Sequence, residues 1–333
     1  MRVLVLVVIL AVGSVAGGAW MQYQGFLSEP IELGEQSLVL DVERGTSLRG
    51  LSEELSELGL LDHPYFFMAM AYLGDKATSI KAGEYEIRRG MTPPELLALL
   101  TSGRVVQRAF TLVEGWTYRQ ALEAVTKDER FEKVLGTDPS AKMVMASLGH
   151  PAEHPEGRFF PDTYYFSKGT SELDILRRAY ETMEQVVAQE WERRDGELPL
   201  KSPYEALILA SIVEKETGLP SERRSIAGVF TRRLGLGMKL QTDPTVIYGL
   251  GDAFDGNITR ADLRRDTPYN TYVHEGLPPT PIALPGRDAI RAVLHPQEGD
   301  SLYFVAKGDG SHHFSASLDE HNQAVRRYQL GKQ

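Results

Sequence analysis

The chain contains no cysteine. That excludes thiolate nucleophiles, thiolate zinc sites, disulfides and lipid attachment through cysteine, and it leaves the compartment open. Neither a G-x-x-x-x-G-K-[ST] loop nor a G-x-G-x-x-G turn after a strand is present, so nucleotide chemistry has no signature. H-E-x-x-H is missing, and the eight histidines are scattered. His312 and His313, adjacent on an expected strand, point apart. No metal or other cofactor is therefore expected. S-x-x-K and G-x-S-x-G are absent too, which removes the usual penicillin-binding and α/β-hydrolase nucleophiles. Positive charge is in deficit: the net charge is -10 and the pI about 5.4, which argues against a nucleic-acid partner.

What is there is ordinary globular material, 42% hydrophobic and 25% charged over 333 residues, enough for about two domains besides a targeting segment. The targeting segment is "VLVLVVILAVGSVAGGAW", Val3–Trp20, with Ser14 its only polar residue. Its length suits a membrane-crossing helix, and Trp20 and Tyr23 fall where interfacial aromatics are expected. Arg2 and the α-amino group precede it, and Glu29, Glu32 and Glu35 follow, so the expected topology is single-pass in the cell (inner) membrane. Met1 would be cytoplasmic and the bulk of the chain on the periplasmic or cell-wall side. The alternative is a signal peptide cleaved near Ala16-Gly-Gly-Ala19, but the apolar run is long for one.

The expected order is an anchor over residues 1–23, a stalk over 24–37, a small module over 38–107, a mostly helical connecting region over 108–200 and a catalytic domain over 201–333. The fold class is α+β. One phrase recurs: "LVLDVERGTSLRGLSEEL", "YEIRRGMTPPELLALL" and "FTLVEGWTYRQALEAV" each read as strand, glycine, hydroxyl residue and amphipathic helix. Gly45, Gly90 and Gly115 turn the chain, and Ser47, Thr92 and Thr117 cap the helices. In the first module this gives a strand, helices over 47–58 and 64–73, and a strand over 84–88. Phe159, Phe160, Tyr164, Tyr165 and Phe166 in "EGRFFPDTYYFSKGT" read as core or as sugar-stacking rings. "SLYFVAKGDGSHHFS" reads as a hairpin about Gly308-Asp-Gly310, followed by a helix over about 318–329.

The sharpest feature is "LILASIVEKETG", Leu207–Gly218. Ser202-Pro-Tyr-Glu205 reads as a capping box and Gly218 as a stop. On a helical wheel Glu216 falls within roughly 20° of the apolar direction and Glu214 nearly opposite, so Glu214 is expected to face solvent or a salt bridge. Burial and the helix C-terminus both raise the pKa of Glu216 toward the range of a general acid near neutral pH. The plainer alternative pairs it with Arg223 or Arg224. "LQTDPTVIYG", "PYNTY" and "LPPTPIALPG" supply amide, hydroxyl and aromatic groups in expected loops, as a sugar-binding cleft requires, with Asp243-Pro244 read as a turn starter.

On "FFPDTYYF", "ASIVEKET", "LQTDPTVIYG", "YNTY" and "LYFVAKG…HHFS" the chain resembles the YceG-like, MltG-type endolytic murein transglycosylases over nearly its whole length. The resemblance implies a LysM-like first module that binds N-acetylglucosamine-containing glycan. It also implies a lysozyme-like catalytic domain in which the second glutamate of E-K-E-T, Glu216, is catalytic. Glu216-Thr217, Leu240-Gln241 and Tyr269-Asn270 echo elements of lysozyme-like lytic transglycosylases, with Thr217 departing from the usual serine. Gln241, Thr242, Asp243, Tyr248, Tyr269, Asn270 and Tyr272 are the candidate substrate-binding residues. The implied partners are peptidoglycan strands, the membrane and cell-wall synthases. Rival readings are a lysozyme-like hydrolase with Asp243 holding water, a non-catalytic wall-binding scaffold, and a peptide-directed enzyme.

Overall fold

The computed structural model describes residues 2–331, so Met1 lies outside the described residues. Helix α1 (Arg2–Ser28) is long and apolar enough to cross a membrane. It continues past the expected anchor end, so residues 24–28 are helix rather than stalk, and Phe26 is buried in the core of the first module. The apolar face of the last turn explains the overrun: Phe26 and Leu27 gain burial only if the helix persists to them.

The chain packs as two compact units: residues 1–108 with 165–169, and residues 109–164 with 170–333. The first contains strand β1 (Ser37–Val42), helices α2 (Leu48–Glu57) and α3 (Pro64–Leu73), strand β2 (Gly83–Arg88) and helix α4 (Pro93–Ser102). The strands pair antiparallel with Leu40 opposite Tyr85, both buried, and Val39 and Glu86 facing out. That is the period-two alternation of a sheet with one covered face. The expected strand–helix–helix–strand order is present.

The recurring phrase has one physical basis. Gly45, Gly90 and Gly115 all adopt positive φ, a conformation costly for residues with a Cβ. Ser47 caps α2, and Thr92 and Thr117 form capping boxes with Glu95 and Gln120.

The chain passes between the units in strands β3 (Arg108–Thr111) and β4 (Thr163–Phe166). The second unit contains α5 (Tyr118–Lys127), α6 (Ala141–Ser147), α7 (Glu172–Glu192), α8 (Pro203–Glu216), α9 (Arg223–Gly235), α10 (Asp243–Leu250) and α11 (Arg287–Leu294). The hairpin β5 (Tyr303–Ala306) and β6 (His312–Ser315) and helix α12 (Leu318–Val325) complete it. Residues 109–164 and 170–200 thus pack with the C-terminal part instead of forming a region of their own. Phe160 of the aromatic loop joins the core cluster built by α8, α9 and α11. Phe159, Tyr164 and Phe166 are buried as well, and Tyr165 is exposed, so four of the five rings are core.

Helix α8 is the axis of the second unit, packed by α7, α9, α10 and α11. Its residues Ala206–Val213 are buried without a break, so it has no single apolar direction. Ser202 caps its start, but Glu205 accepts from the Lys201 N–H rather than from Ser202, so the expected capping box is displaced by one residue. Its end is set by Thr217 in extended conformation, not by Gly218, whose φ is not positive.

Candidate active site

The enclosure of α8 decides between the two environments expected for Glu214. Glu214 does not face solvent: its side chain is 6% exposed, Oε1 lies 3.5 Å from Arg223, and Oε2 accepts the Gly286 N–H at 2.9 Å. It is the salt-bridged alternative that holds. Arg223 also faces Glu114 at 3.9 Å and Asp288 at 3.6 Å, and the Arg224 Nε donates to the His295 carbonyl. Neither arginine neutralises Glu216.

Glu216 closes the last turn of α8 and lines a cleft of about 430 Å³ with Arg233, Gln241, Asp243, Tyr272, Phe304 and His312. Its Oε1 accepts a short hydrogen bond from the Thr242 hydroxyl. Burial pushes the carboxyl up to about 7. The Thr242 bond opposes that shift, the Asp243 charge adds to it, and His312 works against it. A carboxyl balanced near neutrality can donate a proton and take it back at one pH.

Thr242 occupies the N-cap position of α10, yet its hydroxyl makes no cap bond. The group that would satisfy a helix N–H is committed to Glu216 instead. Asp243-Pro244 opens a helix here, so the segment expected as a loop is helical from Asp243 to Leu250.

"QTD" and "YNTY" form one interlocked unit. The Gln241 N–H donates to the Thr271 carbonyl at 3.1 Å, and the Thr242 N–H to the Thr271 hydroxyl at 3.0 Å. The Tyr272 hydroxyl donates to Asp243 at 2.6 Å, and burial, aided by Asp243, raises its pKa, so it remains a donor. Gln241 adopts φ 51, in the left-handed region unusual for a side chain of its size. That turn leaves its side chain exposed at the cleft while Thr242 is buried.

The remaining candidates stand behind the cleft. Asn270 is 1% exposed, and its amide donates to the carbonyls of Asp262 and Arg265 and accepts from the Tyr272 N–H. Tyr269 and Tyr248 meet edge to face at 4.8 Å. The Tyr269 hydroxyl pairs with Thr280, and that of Tyr248 donates to Glu156. Gly249 permits this packing, since a Cβ there would lie 3.1 Å from the Tyr269 Cβ.

Four groups escape the sequence reading. Thr271 clamps the Gln241–Thr242 backbone. Arg233 donates to the carbonyls of Leu302, Lys239 and Leu240, tying β5 to the turn before Gln241. Glu222 accepts from both the backbone N–H of His312 and its Nδ1, at 3.0 and 2.7 Å, fixing the imidazole at the cleft. Glu156 is 3% exposed, accepts from the Tyr118 N–H and from Tyr248, and is pushed up to about 7 by burial. Of the four, Thr271 lies inside "YNTY" and Glu156 opens "EGRFFPDTYYFSKGT", while Arg233 and Glu222 fall in no stretch singled out above.

A second depression of about 480 Å³ lies beside Arg223, Arg224 and Arg291. Its carboxylates, Asp195 and Asp288, have side chains 55% and 69% exposed, unlike the enclosed Glu216 carboxyl. The chemistry selects the Glu216 cleft.

Comparison with known proteins places the chain in a family. The model of the YceG-like family matches residues 40–327. The endolytic murein transglycosylase of Bacillus subtilis is 32% identical over 94% of this chain and 91% of its own. That of Streptococcus pneumoniae D39 is 26% identical over 94% of this chain and 63% of its own length. The crystal structure of a yceG-like protein of Listeria monocytogenes, 28% identical, superimposes with a TM-score of 0.52 over 87% of this chain and 100% of its own. The chain belongs to the YceG-like family.

Proposed function

We propose that this chain is a membrane-anchored endolytic transglycosylase. It cuts the β-1,4 bond between N-acetylmuramic acid and N-acetylglucosamine within nascent peptidoglycan strands and leaves a 1,6-anhydro end. The observation that carries this reading is the Glu216 carboxyl, lifted to about 7 beside the Thr242 hydroxyl in a cleft rich in hydroxyl, amide and aromatic groups. Similarity to relatives named as endolytic murein transglycosylases supports it.

In the first step neutral Glu216 donates its proton to the glycosidic oxygen as the C1–O bond breaks and positive charge grows on the muramyl ring. The carboxylate so formed is stabilised by the Thr242 hydroxyl and faces the oxocarbenium-like centre. In the second step it takes the proton from the muramyl C6 hydroxyl as that oxygen bonds to C1. The nucleophile belongs to the substrate, so no positioned water is required. Gln241 and Tyr272 bind acetamido and hydroxyl groups directly. Thr242, Asn270, Tyr248 and Tyr269 act by shaping the cleft, and Asp243 raises the Glu216 pKa.

The finer assignments belong to the same proposal. The second unit is lysozyme-like in its use of one glutamate, the module over residues 38–107 is LysM-like and binds glycan, and cell-wall synthases supply the nascent strands. The helix α1 holds the chain in the cell (inner) membrane with the remainder on the wall side.

The test is mass analysis of products from purified glycan strands, comparing the wild-type chain with Glu216→Gln. Anhydro-muramyl ends with the wild type and none with the variant are expected. Reducing ends would make it a hydrolase, and unchanged cleavage by the variant would remove Glu216 from the chemistry.

A further inference from the structure

Helix α3, "PYFFMAMAYL", carries no charged side chain. A helix apolar all round is normally buried. Here only Phe67 and Ala71 are, while Tyr65, Tyr72 and Leu73 are 78%, 65% and 79% exposed. At roughly 100° per residue Tyr65, Ala69 and Tyr72 share one stripe opposite Phe67 and Ala71. Leu58, just before the helix, adds another exposed apolar side chain.

This stripe has a fixed relation to α1. Phe66, the neighbour of Tyr65, packs its ring on Tyr23 at 5.7 Å and on Phe26 at 5.8 Å. Tyr23 in turn meets Trp20 at 6.0 Å. The apolar run ending at Trp20 covers about 27 Å as a helix, close to the thickness of a hydrocarbon core. Trp20 and Tyr23 therefore sit at the headgroup level, and the start of α3 is held there with them.

We propose that the exposed face of α3 is a membrane-docking surface, seated in the interface of the same bilayer that α1 crosses. This rests on the anchor reading of α1. The alternative ligand of aromatic side chains, a glycan, would need amides or carboxylates around the rings. On α3 itself the residues flanking this stripe are Met68 and Leu73, and the charged group facing Tyr65 is the Arg49 guanidinium, a cation. The nearby depression carries Glu29, Glu32 and Asp62, so attraction to acidic headgroups is not the driving force. Apolar burial is, with the tyrosine hydroxyls left at the headgroups.

Because the chain lacks cysteine, a single introduced thiol can be labelled uniquely. The full chain is placed in nanodiscs of phosphatidylethanolamine and phosphatidylglycerol, one chain per disc, with a nitroxide at Tyr65→Cys, Tyr72→Cys, Val12→Cys or, as the water-exposed reference, Glu123→Cys. Relaxation by oxygen, which partitions into lipid, is compared with relaxation by a water-soluble nickel chelate. The oxygen-to-nickel ratio at positions 65 and 72 is expected to rise severalfold over that at Glu123, toward that at Val12, and to be insensitive to salt. Ratios at 65 and 72 equal to that at Glu123, with Val12 still lipid-exposed, overturn docking and leave the anchor intact. A water-exposed Val12 overturns the anchor itself. Protection at 65 and 72 that appears only with several chains per disc, or only on adding chito-oligosaccharide, assigns the face to a second copy or to glycan and overturns the proposal.

Discussion

The Thr242 hydroxyl, placed where a helix cap bond would be made, donates instead to Oε1 of Glu216. This bond stabilises the carboxylate and counters the burial that favours the acid. Thr242→Val keeps the shape and removes the donor. The Glu216 pKa then rises, and the alkaline limb of kcat/KM against pH moves up by about one unit, the equivalent of a hydrogen bond to a charged group. Thr242→Ser leaves the limb in place. A pH–rate profile on purified glycan strands checks both.

The same carboxyl sets a stability trend. Its pKa is 4.5 in the unfolded chain and about 7 in the folded one. Between those values the unfolded state has released a proton that the folded state retains, so stability falls as pH rises through this window. Glu216→Gln abolishes the penalty along with the acid. The variant is expected to be inactive yet more stable than wild type at pH 8, by up to about 3 kcal/mol, with the difference fading below pH 4.5. Thermal unfolding in detergent at several pH values measures it. Glu156, also raised to about 7, contributes the same trend to both proteins and cancels from the comparison.

Local signals carried the sequence reading well where the cause is local. The three glycine–hydroxyl phrases are legible because positive φ and capping depend on a few adjacent residues. The β5–β6 hairpin and α12 follow from the same kind of short-range pattern. Of the two environments the wheel allowed Glu214, the salt bridge holds because α8 is packed on every side and leaves that glutamate no open solvent. The stretch from Asp243 was expected in a loop because Asp-Pro opens turns and helices alike, and here it opens α10. The contacts of Arg233 with Leu302, Glu222 with His312 and Glu156 with Tyr248 could not be found from spacing, since these partners lie 69, 90 and 92 positions away in the chain.

Asn270 shows how a polar motif residue can act through the backbone alone. Its side chain satisfies two carbonyls and one N–H at 1% exposure. Asn270→Ala leaves those groups buried and unpaired, and is expected to cost about 2–4 kcal/mol of stability. Activity falls with it as Tyr272 and Thr271 lose their positions. Unchanged thermal stability with a raised KM would instead make Asn270 a direct sugar ligand.

Asp243 and His312 pull the Glu216 pKa in opposite directions, which separates two mechanisms. Asp243 is exposed at the cleft and raises that pKa by its negative charge, while His312, held by Glu222, lowers it. Asp243→Asn retains an oxygen for the Tyr272 hydroxyl and removes the charge. The alkaline limb of cleavage then moves to lower pH, with anhydro products still formed. His312→Asn moves the limb the other way, by less than Thr242→Val, because the histidine has the smaller influence. If Asp243 held a hydrolytic water, Asp243→Asn would abolish turnover instead of displacing its pH dependence. Retained turnover with a displaced limb in Asp243→Asn therefore marks a single-carboxyl transglycosylase and lost turnover a two-carboxylate hydrolase, and the pH–rate profiles of the two variants read it directly.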